Sequence, residues 1–182
     1  MADSPRTNRG PSAGPENRAA LVTAARAVFH EQGAGAPLSA VAKRAGVGQG
    51  SLYRHFPDRL ALASAVFEEN MDQIEALAAS PDATLKDICD LVTHQTEGTA
   101  AFIALAQDAH ADARLAAFEW RLREILASKW SAREGLLGPN ATLDDLMLAV
   151  GMVAGVAMQS PPAERHERAM AAWELVQRGL RS

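Results

Sequence analysis

Residues 45–59, which read AGVGQGSLYRHFPDR, decide the fold of this chain. They contain a tight turn around Gly46, then a short helix from Gln49 to His55 that Pro57 closes. A glycine suits such a turn because it adopts positive φ without strain. A short supporting helix, a turn with glycine and a second helix form a helix-turn-helix, whose second helix enters the major groove of DNA. The stretch therefore predicts a helix-turn-helix.

The side chains of this second helix divide into an inner and an outer set. Val47 and Leu52 are spaced to pack beneath the two helices, which leaves polar and small residues outside. Gln and Ser side chains can read base edges, Tyr and His can bond phosphate oxygens, and a glycine lets the backbone approach a phosphate closely. The predicted DNA contacts are Lys43, Arg44, Gln49, Gly50, Ser51, Tyr53, Arg54, His55 and Arg59. For the basic members of this set, a solvated charge on a surface helix is the alternative.

The run resembles the DNA-binding domain of the tetracycline-repressor (TetR) family, whose members end this motif with Gly-Thr/Ser-Leu-Tyr-x-His-Phe. Here the corresponding run spans Gly50 to Phe56, and the resemblance covers about residues 17–67. Upstream, the matching residues are Phe29, Gly33, Val41, Ala42, Ala45, Gly46 and Val47. The chain departs from the family at the start of the second helix, where Pro37 replaces the usual capping Thr or Ser.

The resemblance implies an all-α homodimer that regulates transcription. The polar residues 1–15, rich in Pro, Gly and Ser, predict a disordered tail, and the resemblance implies a helix-turn-helix domain at 16–60 and a ligand-sensing and dimerisation domain at 61–182. In such a protein the last two helices pair with their copies in a second subunit, and the middle helices enclose a pocket. The implied function is that of a repressor, bound to a palindromic operator in double-stranded DNA and released by a small-molecule effector.

Apolar periodicity predicts about nine helices, with no strand and no internal repeat. The first is expected at 16–32, and Asp58 is expected to cap the fourth. Thr84 and Thr142 begin capping-box-like patterns, so a helix should start after each. A short helix is predicted at 99–107. A long one is predicted at 111–137, packed on two sides because it is apolar on two faces. A last helix should open at Pro161 and Pro162.

The candidate pocket and dimer residues come from the C-terminal helices. Residues 146–158 are almost wholly apolar, which predicts a helix buried on all sides. Two glycines four residues apart would allow close helix approach. The predicted dimer interface is Gly151, Gly155, Met170, Trp173, Val176 and Leu180, and packing within one subunit is the alternative. The candidate pocket residues are Met71, Ile74, His94, Phe102, Phe118, Trp120 and Met147, each of which would serve equally as plain core.

Charge is distributed unevenly along the 182 residues. Residues 1–60 hold eight Lys or Arg and four Asp or Glu, whereas residues 61–182 hold ten and eighteen. A basic N-terminal part and an acidic remainder are expected when only the N-terminal part contacts phosphate. The acidic remainder favours a cationic ligand over an anionic one. The polar N-terminus and the lack of a long apolar run predict a soluble, cytoplasmic protein without membrane contact.

Other classes of function find little support in the sequence. It lacks a glycine-rich phosphate loop, a Gly-x-Ser-x-Gly elbow and a His-Glu-x-x-His motif, so we expect no enzyme, no cofactor and no metal. Cys89, the single cysteine, is expected to be a buried, inert thiol. Two alternatives stay open. The first is an activator or a nucleoid-type DNA binder without a ligand, and a footprint without a defined palindrome would favour the nucleoid-type binder. The second is a helical partner-binding module, which failure to bind DNA would favour.

Overall fold

The computed structural model describes residues 14–95, 102–103, 105–106, 112–132 and 136–181. Eight α-helices lie within these ranges. They are α1 (Gly14–Gln32), α2 (Leu38–Ala45), α3 (Gln49–His55), α4 (Arg59–Ala79), α5 (Leu85–His94), α6 (Asp112–Ser128), α7 (Leu143–Gln159) and α8 (Arg165–Leu180). No strand occurs in these parts of the chain, so the all-α prediction is confirmed. The helix predicted at 99–107 falls partly outside the described residues, of which 102, 103, 105 and 106 are helical.

The helix ends follow local sequence signals. The side chain of Asp58 accepts a hydrogen bond from the backbone N–H of Ala61 at 2.7 Å, which caps α4 as predicted. Complete capping boxes begin α5 at Thr84 and α7 at Thr142. Pro37 precedes α2 without a side-chain cap, as its chemistry requires. Side-chain caps therefore mark the start of three of these helices, α4, α5 and α7.

The helices α1, α2 and α3 form a unit that we call the head. Its core consists of apolar side chains from all three helices and the start of α4, among them Leu21, Phe29, Val41, Leu52 and Leu62. The remaining helices, α4 to α8, form the body. α4 belongs to both units, because it packs against α1 and also against α5 and α6. α1 further contacts the 3₁₀ turn Pro162–Glu164 that precedes α8.

Helix α6 differs from its prediction. It ends at Ser128 rather than near residue 137, and the Ser128 hydroxyl donates to the carbonyl of Ile125 at 2.6 Å. The Lys129 ammonium then donates to the carbonyl of Ser80, which ties this end to the α4–α5 turn. The helix contacts both α4 and α7, but the face predicted around Trp120 is not packed, because Trp120 lies on the outer side with 63% of its surface exposed.

Helix α7 is buried on one side of a single chain, not on all sides. Leu146, Ala149 and Val153 lie in the core, whereas Leu148 and Met152 are largely exposed. The helix packs lengthwise against α8, which begins at Arg165 after the 3₁₀ turn rather than directly at the prolines. Within the described residues, none of the helices combines the length and apolarity that a membrane span requires.

Candidate DNA-binding surface and ligand pocket

The turn between α2 and α3 has the geometry of a helix-turn-helix. Gly46 sits in the left-handed region with φ of +66° and ends α2, as predicted from its freedom to adopt positive φ. The backbone N–H of Val47 then donates to the carbonyl of Ala42 at 3.0 Å. Leu52 on α3 and Phe56 just after it are buried in the head. The outer face of α3 is therefore held rigidly toward solvent.

This outer face carries most of the predicted DNA-contacting residues. Gln49, Gly50, Tyr53 and Arg54 are exposed on α3, and Ser51 and His55 on the same helix are half-buried. Tyr53 has 54% of its surface exposed. Among the large apolar side chains of α1, α2 and α3, it is the exposed one. Lys43 is exposed at the neighbouring end of α2.

Two of the predicted contacts are engaged inside the head. The guanidinium of Arg44 forms an ion pair with Glu31 at 2.6 Å. The guanidinium of Arg59 donates to the carbonyl of Ala34 at 2.6 Å and to that of Ala36, in the loop between α1 and α2. Arg59 thus clips the start of α4 to this loop. This structural role competes with the DNA contact that was predicted for Arg59, and nothing in its local sequence signalled it.

A broad open cleft of about 800 Å³ lies between the start of α1 and the turn. Its lining includes Gly48, Ser51 and Arg54, together with Glu16 and Asn17 of α1, which the sequence analysis did not select. The guanidinium of Arg18, also missed, lies 5.3 Å from the ring centroid of Phe56. The start of α1 carries no recognisable motif, so the sequence alone did not indicate that its residues line this cleft.

A second cavity, of about 200 Å³, lies between α4, α6 and α7. Four of the predicted pocket residues line it: Met71, Phe102, Phe118 and Met147. The other lining residues are Phe67, Ile103, Glu119, Leu122, Val150, Gly151 and Ala154. Phe67, Met71 and Phe102 are buried whereas Glu119 and Gly151 are exposed, so the cavity runs from an apolar floor to an open mouth.

Three phenyl rings form the inner wall of this cavity. The centroids of Phe67 and Phe102 are 4.7 Å apart, those of Phe67 and Phe118 are 4.4 Å apart, and those of Phe102 and Phe118 are 5.1 Å apart. Such stacked and edge-to-face pairs stabilise each other beyond simple burial. The wall is therefore a preformed aromatic surface contributed by three segments distant in sequence.

Three predicted pocket residues lie elsewhere. Ile74 is buried in the core on another turn of α4, and Trp120 faces outward from α6. His94 is exposed at the end of α5, where its ring stacks on that of His166 with centroids 5.0 Å apart. The residue types of these three side chains suited a pocket, but their neighbours in the fold separate them from the cavity.

The predicted dimer residues divide in a similar way. Trp173 is 2% exposed and belongs to the subunit's own core, so its assignment to the dimer interface needs correction. Val176 and Leu180 are half-buried against the same core. Met170 and Gly155 are half-buried and Gly151 is exposed. The exposed apolar side chains on these two helices are Leu148, Met152, Val156 and Leu175.

Helix α4 is tied to its surroundings by two arginines of other helices. Arg26 on α1 donates to Glu69 and to Asn70, both at 3.1 Å. Arg121 on α6 donates to Glu68 at 2.7 Å and to Glu75 at 3.0 Å, and these bonds raise the pKa of its guanidinium. Each bridge joins α4 to one of the two units of the molecule. Within two turns, α4 therefore contacts the head, the cavity and α6.

Metal and thiol chemistry find no support in the described parts of the chain. No three His, Cys, Asp or Glu side chains converge there to hold a metal ion. Burial raises the pKa of the Cys89 thiol to about 12, so this thiol stays protonated and unreactive at neutral pH. The two cavities with side chains suited to recognition are the open cleft beside α3 and the aromatic cavity.

Comparison with known proteins identifies the class. The sequence profile of the bacterial regulatory proteins of the tetR family matches residues 21–66. A TetR transcriptional regulator from Streptomyces coelicolor shares 25% sequence identity at a TM-score of 0.62, over 90% of this chain and 98% of that one. TylP, a TetR regulator from Streptomyces fradiae, shares 21% identity at a TM-score of 0.53, over 92% of this chain and 88% of that one. A γ-butyrolactone receptor described as ArpA-like shares 16% identity at a TM-score of 0.51, over 92% and 99%. No match was found among curated proteins.

The helix-turn-helix with its exposed α3 and the all-α body define a DNA-binding transcriptional regulator. Residues 21–66 match the profile of the TetR family of such regulators, and the fold of the chain resembles that of a TetR transcriptional regulator. The match to the profile extends from α1 into α4, which is the region whose sequence suggested the resemblance. Regulators of this family are generally DNA-binding proteins without enzymatic activity.

Proposed function

We propose that this chain is a ligand-responsive repressor that binds a palindromic operator as a homodimer and is released by a small-molecule effector. The observation that carries the proposal is the position of α4. Phe67 and Met71 on this helix line the aromatic cavity, while Glu69 and Asn70 on its next face bond to Arg26 of the head. One rigid helix therefore reports the state of the cavity to the DNA-binding surface.

The DNA contacts follow from the outer face of α3. Gln49 and Ser51 lie near the start of this helix, where base edges of the major groove are read. Tyr53, His55 and Lys43 flank them and suit phosphate oxygens, which position the protein without reading sequence. Arg44 and Arg59 contribute less in this proposal, because each already has a partner inside the head.

The homodimer follows from the apolar side chains that one chain leaves uncovered. Leu148, Met152 and Val156 lie on one face of α7, and Leu175 is 61% exposed on the adjacent α8. A monomeric protein rarely exposes a contiguous apolar patch of this kind. Two copies joined about a twofold axis would bury the patch in a bundle of four helices and would present two α3 helices to the two half-sites of a palindrome.

The effector acts by shifting the equilibrium between two conformations of the dimer. DNA binding requires that the two α3 helices enter successive major grooves, which are roughly 34–36 Å apart. A ligand that binds better to a conformation with another spacing lowers operator affinity by the ratio of its affinities for the two states. The fold of a γ-butyrolactone receptor resembles this chain over most of its length, which supports an effector pocket within such a body.

The test is selection of duplexes from random DNA, followed by footprinting of the enriched sequence at several salt concentrations. A protected palindrome, with half-sites one helical turn apart and affinity that falls steeply with salt, would support the proposal. A footprint without a palindrome would favour a nucleoid-type binder and contradict the repressor. No enrichment at all would remove the claim of sequence-specific DNA binding.

A further inference from the structure

This inference rests on the proposed function and concerns the chemistry of the effector. We propose that the aromatic cavity between α4, α6 and α7 binds a compact organic cation that carries a single aromatic ring. The size of the cavity, its aromatic wall and the charge at its mouth each point to one part of this molecule.

The volume limits the ligand to about one ring and a short substituent. The cavity measures about 200 Å³. An engineered apolar cavity of about 150 Å³, lined by Leu, Ile and Phe, binds benzene. The remaining volume holds a few further heavy atoms, so one ring with a short substituent fills the enclosed part of the cavity.

The wall favours an aromatic body and tolerates positive charge. Phe67, Phe102 and Phe118 present ring faces and edges in the stacked and edge-to-face geometry that another ring can extend. Met71 and Met147 add flexible, polarisable side chains that adapt to a ligand's outline. The guanidinium carbon of Arg121 lies 5.8 Å from the centroid of Phe118, so one of these rings already faces a cation.

The mouth of the cavity carries negative charge. Among the described lining residues, Glu119 is the one with an ionisable side chain, and it is exposed. No hydrogen bond or ion pair engages its carboxylate in the described part of the chain, because Arg121 is turned toward α4 and Arg123 pairs with Asp144 at 2.6 Å. A cationic group at the mouth would meet this free carboxylate.

The positive charge of Arg121 does not cancel this preference. Its guanidinium lies 2.7 Å from Glu68, 2.9 Å from Glu75 and 3.9 Å from Asp72, so one cation faces three carboxylates. The local balance stays negative even before Glu119 is included. An anionic ligand would therefore be repelled at the mouth, and a neutral one would gain nothing from Glu119.

Calorimetry with three probes of nearly equal size tests the proposal without DNA. The probes are benzylammonium, benzyl alcohol and benzoate, which differ in charge. We expect benzylammonium to bind about tenfold more tightly than benzyl alcohol, from an ion pair at the mouth and a cation–ring contact, and benzoate to bind most weakly. Equal affinities, tighter binding of benzoate or no binding of benzylammonium would each overturn the proposal.

Variants of Glu119 test whether this carboxylate causes the preference for benzylammonium. Glu119→Gln keeps the shape of the side chain and removes the ion pair, so it should reduce the preference for benzylammonium to the part that the cation–ring contact supplies, while Glu119→Lys should shift it toward benzoate. Glu124→Gln, on an exposed position of α6 outside the cavity lining, is the matched control and should leave all three affinities unchanged. A preference that Glu119→Gln leaves unchanged would contradict the assignment. Because these measurements need no operator, their failure is separate from failure of the DNA selection.

Discussion

The head and the body of this protein leave different surfaces uncovered. The head buries its large apolar side chains except Tyr53, and it offers polar side chains along α3. The body exposes Trp120 on α6 and a cluster on α7 and α8, which we call the apolar patch: Leu148, Met152, Val156 and Leu175. A polar face suits a hydrated, charged partner such as DNA, whereas an apolar patch suits another protein surface. This difference favours DNA as the partner of the head and another protein surface as the partner of the body.

The two regions also hold α4 in different ways. On the head side, the Arg59 guanidinium donates to two backbone carbonyls of one loop, which fixes the beginning of the helix. On the body side, Arg121 bonds to carboxylates along the exposed edge of the helix. Exposed ion pairs contribute little free energy and rearrange easily, whereas charged hydrogen bonds to partly buried carbonyls are stronger. The ion pairs of Arg121 are therefore weaker restraints on α4 than the hydrogen bonds of Arg59.

The largest expected effect concerns the apolar patch. The double variant Leu148→Glu, Met152→Glu should remain folded, because both side chains are largely exposed, but should become monomeric. Since joining two binding modules raises affinity by about 10²–10⁴, operator affinity should fall by about 100-fold or more. Sedimentation and operator titration measure the two effects. Trp120→Glu, which replaces an exposed apolar residue outside the patch, should change neither, and a dimeric double variant would contradict the assignment.

Substitution of Arg59 tests whether its side chain stabilises the fold or contacts DNA. Arg59→Met should lower the free energy of unfolding by about 2 kcal/mol, because two carbonyls lose a charged donor. The slope of log affinity against log salt should stay the same, because no phosphate contact is lost. Arg54→Met, on the exposed face of α3, should instead reduce that slope by about 0.9 for each of the two subunits, with little effect on unfolding. A reduced slope in the Arg59 variant would restore it as a DNA contact.

A smaller effect is expected at the turn of the helix-turn-helix. Gly46→Ala should destabilise the protein by about 1 kcal/mol, because the residue adopts φ of +66° and no neighbouring atom would clash with the new methyl group. Gly50→Ala, inside α3 and equally free of clashes, should be neutral or stabilising. Urea unfolding of the two variants measures the difference, and equal changes would mean that backbone conformation is not the cause.

The smallest effect concerns the capping boxes. The hydroxyls of Thr84 and Thr142 lower the pKa of Asp87 and Asp145 below the ordinary 3.8. A lowered pKa in the folded state stabilises the protein above the unfolded value, and this contribution is lost as pH falls through the folded pKa. Unfolding of the Asp87→Asn, Asp145→Asn variant should therefore depend less on pH below 3.8. An unchanged acid dependence would show that these carboxylates do not contribute to it.

The sequence predicted the features that depend on neighbouring residues. The turn at Gly46, the cap at Asp58 and the capping boxes at Thr84 and Thr142 were all confirmed, because each involves residues within a few positions of each other. The long run from Gly50 to Phe56 likewise indicated the family whose profile matches residues 21–66. Local chemistry determines such features before any tertiary contact forms.

The contacts between distant segments could not be predicted in this way. The acceptors of Arg59 are backbone carbonyls more than twenty residues away, and any residue type supplies a carbonyl. Trp173 and Leu175 lie on one apolar helix, and periodicity does not tell which of its sides the chain's own core covers. Trp120 was assigned to the cavity as an aromatic side chain, although it lies on the outer face of α6. Glu119 was missed because a single glutamate gives no motif.

The central claim is that α3 reads DNA, and the most direct test measures the affinity of two variants for a selected operator and its single-base substitutions. We expect Gln49→Ala to lose discrimination at one base position, at a cost of about 1–3 kcal/mol. We expect Tyr53→Ala to weaken binding about equally on every sequence, as loss of a phosphate contact does. Unchanged affinity and specificity in both variants would show that the outer face of α3 is not the surface that binds DNA.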